Sequence, residues 1–385
     1  MNFINKINNH LLSLIITTGG IYTFSLGSAS PTTIIIKRLI FILFIFLNLI
    51  FNLKSFIKFS IFNTLLIFNI LFLALLIFIN SKFNINFYYM ISFIFIISIH
   101  SFFKNISTIN KFIFLNTLHK YFNIFFLFFT FLLFLFFVLG INEVRLLFTS
   151  GFGNDYANFS VWLSSLSLII SYIYFERNKI NFTYFYFQIV LLLLTFLSGG
   201  RTGFVLILFS IFTLLYYKAN IKKILILSTI TSVIVFLIFT FLPDIILLNR
   251  FYTTSNTDLS ADEYSSGRLS ILIGGFNAFL NFNILQLFFG LGVDNFYFNY
   301  GGEDYQIHNL FLKSLVETGI IGFMFLLILY IYPLFKKYQF HNNTIVKIFY
   351  LIASLNAFIS PSSFYTNLNV FSSIWVILAI SQKPS

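Results

Sequence analysis

The 385-residue sequence is 59% hydrophobic and only 9% charged, which excludes an ordinary soluble protein, because a soluble core still needs a polar exterior. Its formal net charge of +12 does not indicate nucleic-acid binding, since Lys and Arg stand in short groups between apolar runs, where they set membrane topology. The absence of cysteine excludes disulfides and thiolate chemistry. The five His residues show no metal-ligand spacing, so neither a metal nor a cofactor is expected.

The apolar runs are long and continuous, which predicts helices rather than barrel strands. We expect an all-α, polytopic integral membrane protein with about 12 transmembrane helices that form a single domain over residues 1–385. The first run is expected to be a retained helix rather than a cleaved signal peptide. The predicted spans lie near residues 11–30, 34–53, 59–80, 86–103, 121–141, 157–175, 182–198, 203–217, 224–242, 309–333, 345–360 and 364–381.

The charges between these spans predict the topology. If the amino terminus is cytoplasmic, most basic residues fall on the cytoplasmic side and nearly all acidic residues fall on the other side. The positive-inside rule therefore favours two cytoplasmic termini, although Lys37 and Arg38 fall on the outer side.

A long loop over residues 243–308 is predicted on the outer side, and loops of this length are commonly functional. Residues 269–289 within it indicate an amphipathic helix at the membrane interface. Its apolar stripe consists of Leu269, Leu272, Ile273, Phe276 and Leu280.

The turn Ser198-Gly199-Gly200-Arg201-Thr202-Gly203 joins two predicted spans on that side. Glycine lets backbone N–H groups converge on an anion, and arginine binds phosphate oxygens bidentately. Gly200, Arg201 and Thr202 are therefore candidate anion-binding residues. A tight turn whose arginine reaches lipid phosphate is the simpler alternative.

Two further segments of the loop carry candidate groups. Arg268 follows Ser265-Ser266-Gly267 just before the amphipathic helix, where an interfacial anchor is the alternative role. His308 and Asn309 precede a predicted span. A helix amino terminus favours a neutral imidazole, which can act as a base, although such a histidine could equally cap the helix.

Glu317 lies nine residues beyond His308 and about 13 Å deeper along a helix, so it cannot orient His308. Lys313, one turn earlier, is its expected partner. The pair is either structural or lines a wet cavity. Gly319 and Gly322 indicate close helix packing nearby.

In this order, the motifs Ser-x-x-Arg-Thr-Gly, Ser-Gly-Arg, Gly-x-Gly, His-Asn and Glu-x-Gly-x-x-Gly resemble those of the O-antigen polymerase (Wzy-type) and O-antigen ligase superfamily. The resemblance covers roughly residues 195–325. It implies a metal-independent, GT-C-like membrane glycosyltransferase whose donor and acceptor are undecaprenyl-pyrophosphate-linked oligosaccharides.

The resemblance also implies roles and a location. Arg201 and Arg268 would stabilise the pyrophosphate leaving group, and His308 would be the base. Gly200, Thr202 and Asn309 would be secondary contacts with the substrate. Arg250 or Arg145 could add a third positive contact, but neither lies in a comparable motif, and binding of lipid headgroups is the alternative. The protein would lie in the bacterial inner membrane with its active site in the periplasm. A polysaccharide chain-length regulator is a candidate partner, besides the lipid bilayer.

Three alternatives remain open at this stage. An O-antigen ligase would move the same donor onto lipid A-core with the same three residues. A lipid-linked oligosaccharide flippase would instead carry charges along a path across the bilayer. A structural scaffold would not need the arginines and the histidine at all.

Overall fold

A computed structural model describes the chain over residues 2–18, 39, 42–48, 50, 61–80, 94–104, 107–138, 156–177, 180–198, 201–218, 268–292, 295–300, 303–305, 307, 309–335, 343–359, 377–379 and 381. These residues are almost entirely helical, as expected. In chain order the elements are α1 (Asn2–Thr18), α2 (Ile61–Asn80), α3 (Ile94–Lys104), α4 (Thr108–Val138), α5 (Tyr156–Glu176), α6 (Phe182–Ser198), α7 (Arg201–Lys218), α8 (Arg268–Leu280), α9 (Ile284–Phe289), β1 (Phe298–Tyr300), β2 (Glu303–Tyr305), α10 (Leu310–Phe335) and α11 (Asn343–Ile359).

Several described helices have the length and composition of membrane spans. Within the described residues, Ile109–Phe131, Phe159–Glu176 and Leu310–Phe335 are long and apolar enough to cross a bilayer, and shorter apolar helices accompany them. These helices fit an integral membrane protein. The figure of 12 spans stays a prediction, because the predicted span 224–242 and parts of several others lie outside the described residues.

The described residues divide into two compact units, each assembled from separate stretches of the chain. The first unit comprises residues 1–42 and 108–257, and the second comprises 43–107 and 258–385. The expectation of a single transmembrane domain with an outer loop over residues 243–308 stays a prediction.

In the first unit, α5 packs closely against α6 and α7 because its buried face is lined by small residues. Ser160, Ser164, Ser167 and Ser171 are buried along α5. A Cβ added to Gly203 of α7 would overlap the backbone of Ser160. Small residues at such crossings let helix backbones approach each other within a membrane.

Side-chain hydrogen bonds tie the same three helices together. The Ser167 hydroxyl donates to Gln188 Oε1 over 2.7 Å, and Gln188 Nε2 donates to Ser171 Oγ over 3.2 Å. Ser210 of α7 lies within 2.8 Å of Ser171, whose hydroxyl also contacts Tyr184. Each of these polar side chains is buried, so the network satisfies groups that lipid could not solvate.

Replacing Gln188 by leucine should lower the stability of the first unit by about 1–2 kcal/mol, because interhelical hydrogen bonds in membranes contribute roughly 0.6 kcal/mol each and several partners lose one. Thermal unfolding of the purified protein in detergent measures the change. Gln188→Glu is the comparison variant, because its carboxyl oxygens can still accept the hydrogen bond that Ser167 donates. A Gln188→Leu variant as stable as the wild type would show that the network is not stabilising.

Helix α4 begins at Thr108, about 13 residues before the predicted span near 121. The sequence predicts that this stretch, with Lys111 and Lys120, connects the spans 86–103 and 121–141. In the structure, Arg177 Nη2 donates to Asn116 Oδ1 over 2.6 Å, and His119 Nε2 lies 2.8 Å from the Tyr174 hydroxyl. These contacts with the end of α5 hold the additional turns of α4 in helical form.

In the second unit, α2 packs on α10 through aromatic side chains. Phe68 stacks on Phe325 with ring centroids 6.0 Å apart, and Phe72 contacts both Phe325 and Phe289. A Cβ on Gly322 would overlap the Thr318 side chain and come within 2.8 Å of Phe72. The expectation that Gly322 marks close helix packing is therefore confirmed.

The outer-loop sequence differs from its prediction in two respects. Residues 269–289 are not one helix, because Asn283 caps a new helix, α9, by a capping box with Gln286. The all-α prediction also omitted an antiparallel hairpin, in which Phe298 pairs with Tyr305 and Tyr300 with Glu303. The Gly301-Gly302 pair between Phe298-Asn299-Tyr300 and Tyr305 is the signal that could have predicted it.

Candidate functional site

Arg201 is the first residue of α7 and belongs to the first unit. Only Gly199 and Gly200 separate it from the end of α6 at Ser198. Thr202 is half-buried, and Gly203 lies directly against the backbone of Ser160 on α5. The motif thus starts a helix whose first turn is fixed by packing against α5.

Arg268 is the first residue of α8, in the second unit. One turn further along, Ile271 is buried in a small apolar core together with Ile307 and Val316. A Cβ added to Gly275 would meet the end of the Ile307 side chain at 2.7 Å. The first turns of α8 are therefore held against the segment that leads into α10.

Asn309 is the amino-terminal cap of α10. Its Oδ1 accepts a hydrogen bond from the N–H of Leu312 over 3.0 Å, and its carbonyl accepts one from the N–H of Lys313 over 2.8 Å. This is the usual geometry of an asparagine cap, which satisfies a donor that the helix leaves open. Asn309 thus has a structural role at the start of the helix, whether or not it contacts substrate.

Helix α10 is interrupted at Gly319, whose φ of 66° and ψ of −171° are not helical. Such a break frees the carbonyls of the preceding turn, which is costly away from water. Two of them find donors in the loop after α9. The N–H of Leu291 donates to the Val316 carbonyl over 3.0 Å, and the N–H of Gly292 donates to the Glu317 carbonyl over 2.9 Å.

Two glycines make this contact between the loop and the helix possible. A Cβ on Gly290 would overlap the backbone of Glu317 and Thr318, and a Cβ on Gly319 would overlap the backbone of Phe288 and Phe289. Both glycines have positive φ, which disfavours side-chain-bearing residues as well. We call this contact the glycine clamp; it consists of residues 288–292 and 316–319.

Lys313 and Glu317 form an ion pair one turn apart on α10, with Nζ 3.7 Å from Oε1. Both side chains are buried, with exposed fractions of 3% and 1%. The expected pairing is confirmed. Removing one member of a buried pair leaves a charge without compensation, whereas replacing both can be tolerated.

Glu317→Gln should therefore lower the stability by about 3 kcal/mol, and the double variant Lys313→Met, Glu317→Leu should recover most of that loss. Thermal unfolding in detergent measures both. If the double variant were no more stable than the single one, the pair would have a role other than mutual neutralisation.

The described predicted site residues are divided between the two units. Arg268, Asn309, Lys313 and Glu317 share the second unit, whereas Arg201 and Thr202 belong to the first unit. Four predicted residues lie outside the described part of the chain: Gly200, Arg145, Arg250 and His308. Sequence reasoning missed the backbone donors of Leu291 and Gly292, since no residue type marks a main-chain contact.

Long apolar helices with buried polar contacts between them define the chain as a helical integral membrane protein. Residues 186–327 match a family model described as O-antigen ligase. The match covers less than half of the chain, so the chain is similar to that family over this segment. No curated protein matches the chain significantly.

Proposed function

We propose that this protein is an O-antigen polymerase of GT-C type that joins undecaprenyl-pyrophosphate-linked repeat units on the periplasmic face of the inner membrane. One observation carries the proposal. The family match over residues 186–327 includes Arg201, Arg268 and His308, the three residues that the motifs single out. Of the secondary candidates, only Arg145 lies outside the matched segment.

The proposed reaction forms one new glycosidic bond between the donor glycan and the acceptor repeat unit. A hydroxyl at the nonreducing end of the acceptor repeat unit attacks C1 of the donor sugar, whose bond to the pyrophosphate breaks. His308 takes the hydroxyl proton, and undecaprenyl pyrophosphate leaves with the bonding electrons. Pyrophosphate is already a good leaving group, so charge stabilisation matters more than proton donation to it.

The positions of Arg201 and Arg268 at helix starts support the roles proposed for them. Arg201 and Arg268 are each the first residue of a helix, where open N–H groups and the helix dipole favour an anion. An arginine at such a position adds a bidentate donor and a full positive charge. In this proposal the positive charge of these arginines, rather than that of a metal ion, stabilises the pyrophosphate leaving group. Gly200, Thr202, Arg250 and Arg145 are secondary contacts.

An O-antigen ligase is the second candidate, because the matching family model carries that description. A ligase would use the same donor and the same three residues, and would differ in its acceptor, lipid A-core. The acceptor therefore decides between the two functions.

The test uses the purified full-length protein in nanodiscs with a synthetic undecaprenyl-pyrophosphate-linked repeat unit and EDTA. A polymerase yields a ladder of lengthened lipid-linked glycans on a gel without any added partner. If no ladder forms but added lipid A-core becomes glycosylated, the ligase function replaces it. Movement of the substrate across a liposome membrane without a new glycosidic bond would instead show a flippase.

A further inference from the structure

One face of α8 and α9 carries large apolar side chains that the rest of the protein leaves exposed. The most exposed are Ile284 and Leu285, at 75% and 72%. The face, called here the loop apolar face, consists of Leu269, Ile273, Phe276, Leu280, Ile284, Leu285 and Phe288. An apolar surface of this extent marks an interaction site, since water is an unfavourable neighbour for it.

The depth of α9 identifies what contacts this face. Through the glycine clamp, the residues that follow α9 bond to the carbonyls of Val316 and Glu317 inside α10. Residue 317 is seven positions beyond Leu310, which corresponds to about 10 Å along the helix axis. Phe289, the last residue of α9, also stacks on Phe72 of α2. The segment is therefore attached to the side of a membrane-spanning helix, below its end.

The length of α10 can be compared with the thickness of the bilayer to locate α9 within it. As an uninterrupted helix its 26 residues would extend about 39 Å, an upper limit because of the break at Gly319, whereas the hydrocarbon core is about 30 Å thick. Even if the whole excess projected at the amino-terminal end, the Glu317 carbonyl would reach the hydrocarbon boundary. Amphipathic helices with their apolar face buried in a leaflet lie at this depth.

We propose that α8 and α9 are inserted into the lipid leaflet at the amino-terminal end of α10, with the loop apolar face among the acyl chains. Exposed apolar side chains of α10, including Met324 and Ile328, also face lipid if this helix spans the membrane. The polar N–H groups after α9 avoid hydrocarbon because they bond to α10. At the glycine clamp, the N–H groups of Leu291 and Gly292 therefore need no hydrogen-bond partner from the lipid.

This insertion has a consequence that rests on the proposed function. Ile271, one turn from Arg268, packs against Ile307 just before the start of α10. Arg268 therefore starts its helix near the headgroup level, which is where the pyrophosphate of a lipid-linked substrate lies. The substrate would then reach Arg268 laterally from the leaflet rather than from the aqueous phase.

The chain lacks cysteine, so single cysteines can be introduced and spin-labelled without other changes. We would label Leu285→Cys and Phe276→Cys in full-length protein in nanodiscs, with Ile328→Cys as the lipid-facing reference and Asn299→Cys, on the exposed side of β1, as the water-facing reference. Collision rates with oxygen, which partitions into lipid, and with a water-soluble nickel chelate report the depth of each label.

Insertion predicts that labels at 285 and 276 collide with oxygen several-fold more than with the nickel chelate, as at 328, and that the label at 299 shows the reverse. Nickel accessibility at 285 and 276 equal to that at 299 would place the face in water and overturn the proposal. Protection from both reagents would also overturn it, because a protein partner or a second copy would then cover the face. Ile284→Cys replaces Leu285→Cys if that variant does not elute as a single species. No outcome depends on glycosyl transfer, so the depth measurement stands apart from the polymerase assay.

Discussion

Alanine at Arg201, Arg268 or His308 is expected to reduce the rate of polymerisation by about 100- to 1,000-fold for each residue, since the loss of one preorganised group in a site that stabilises developing charge has this size. For the two arginines the loss arises because the departing pyrophosphate is no longer neutralised. For His308 it arises because the acceptor hydroxyl keeps its proton during attack. Initial rates with saturating lipid-linked repeat unit measure each effect.

Lysine at position 201 separates charge from geometry. Arg201→Lys keeps a positive charge but lacks the planar fork of donors, so we expect an intermediate rate if the pyrophosphate is bound bidentately. Arg177→Ala is the matched control, because Arg177 follows the carboxyl end of α5 and its guanidinium donates to Asn116. It lies on the predicted cytoplasmic side and should retain nearly full activity. Full activity in the alanine variants of Arg201, Arg268 and His308 would refute the proposed site and would favour a scaffold.

Gly319→Ala is expected to destabilise the second unit by about 3 kcal/mol. The backbone conformation of Gly319, with positive φ and extended ψ, costs a side-chain-bearing residue about 1–3 kcal/mol. Overlap of the new Cβ with the backbone of Phe288 and Phe289 adds to this cost, because backbone cannot move aside as a side-chain end can. Gly290→Ala should have a similar effect, since its Cβ would overlap Glu317 from the other side of the clamp. Thermal unfolding in detergent measures both changes.

Gly275→Ala is the control for these two variants. Its Cβ would meet the ends of the Ile307 and Leu312 side chains, which can shift, and alanine is favoured over glycine within a helix by about 1 kcal/mol. We therefore expect a small change of either sign. A Gly319→Ala variant as stable as Gly275→Ala would show that the clamp does not hold α9 on α10.

The clamp also connects stability to activity. It fixes the loop after α9 on α10, and the small core of Ile271, Ile307 and Val316 fixes α8 beside the start of the same helix. A variant that opens the clamp should therefore disturb the position of Arg268. At a temperature where Gly319→Ala is still folded, we expect its polymerisation rate to fall further than that of Glu317→Gln. Both Glu317→Gln and the double variant Lys313→Met, Glu317→Leu leave the main-chain contact of the clamp in place.

The sequence by itself determined that the chain is a helical membrane protein and where many of its described helices lie. A chain with so few charges and such long apolar runs must satisfy its backbone in helices, and the described helices α2, α5, α6, α7, α10 and α11 overlap the predicted spans. The order of glycine, arginine and histidine motifs predicted a resemblance to the O-antigen polymerase and ligase superfamily, and the segment 186–327, in which these motifs lie, matches the family model described as O-antigen ligase. The pairing of Lys313 with Glu317 also followed from sequence, since residues one turn apart on a helix are neighbours.

Tertiary structure decided the features that depend on main-chain contacts and on packing between distant segments. The break at Gly319 could not be predicted from sequence, because the loop donors that stabilise it come from Leu291 and Gly292, whose side chains play no part. The added turns of α4 depend on His119 and Asn116 meeting the end of α5. The stripe of α8 that the sequence predicts at the membrane interface is largely exposed. Ile271, outside that stripe, enters the core, because the hairpin and Ile307 cover the other side of that helix. Periodicity shows which residues share a face, whereas only the packed neighbours determine which face is buried.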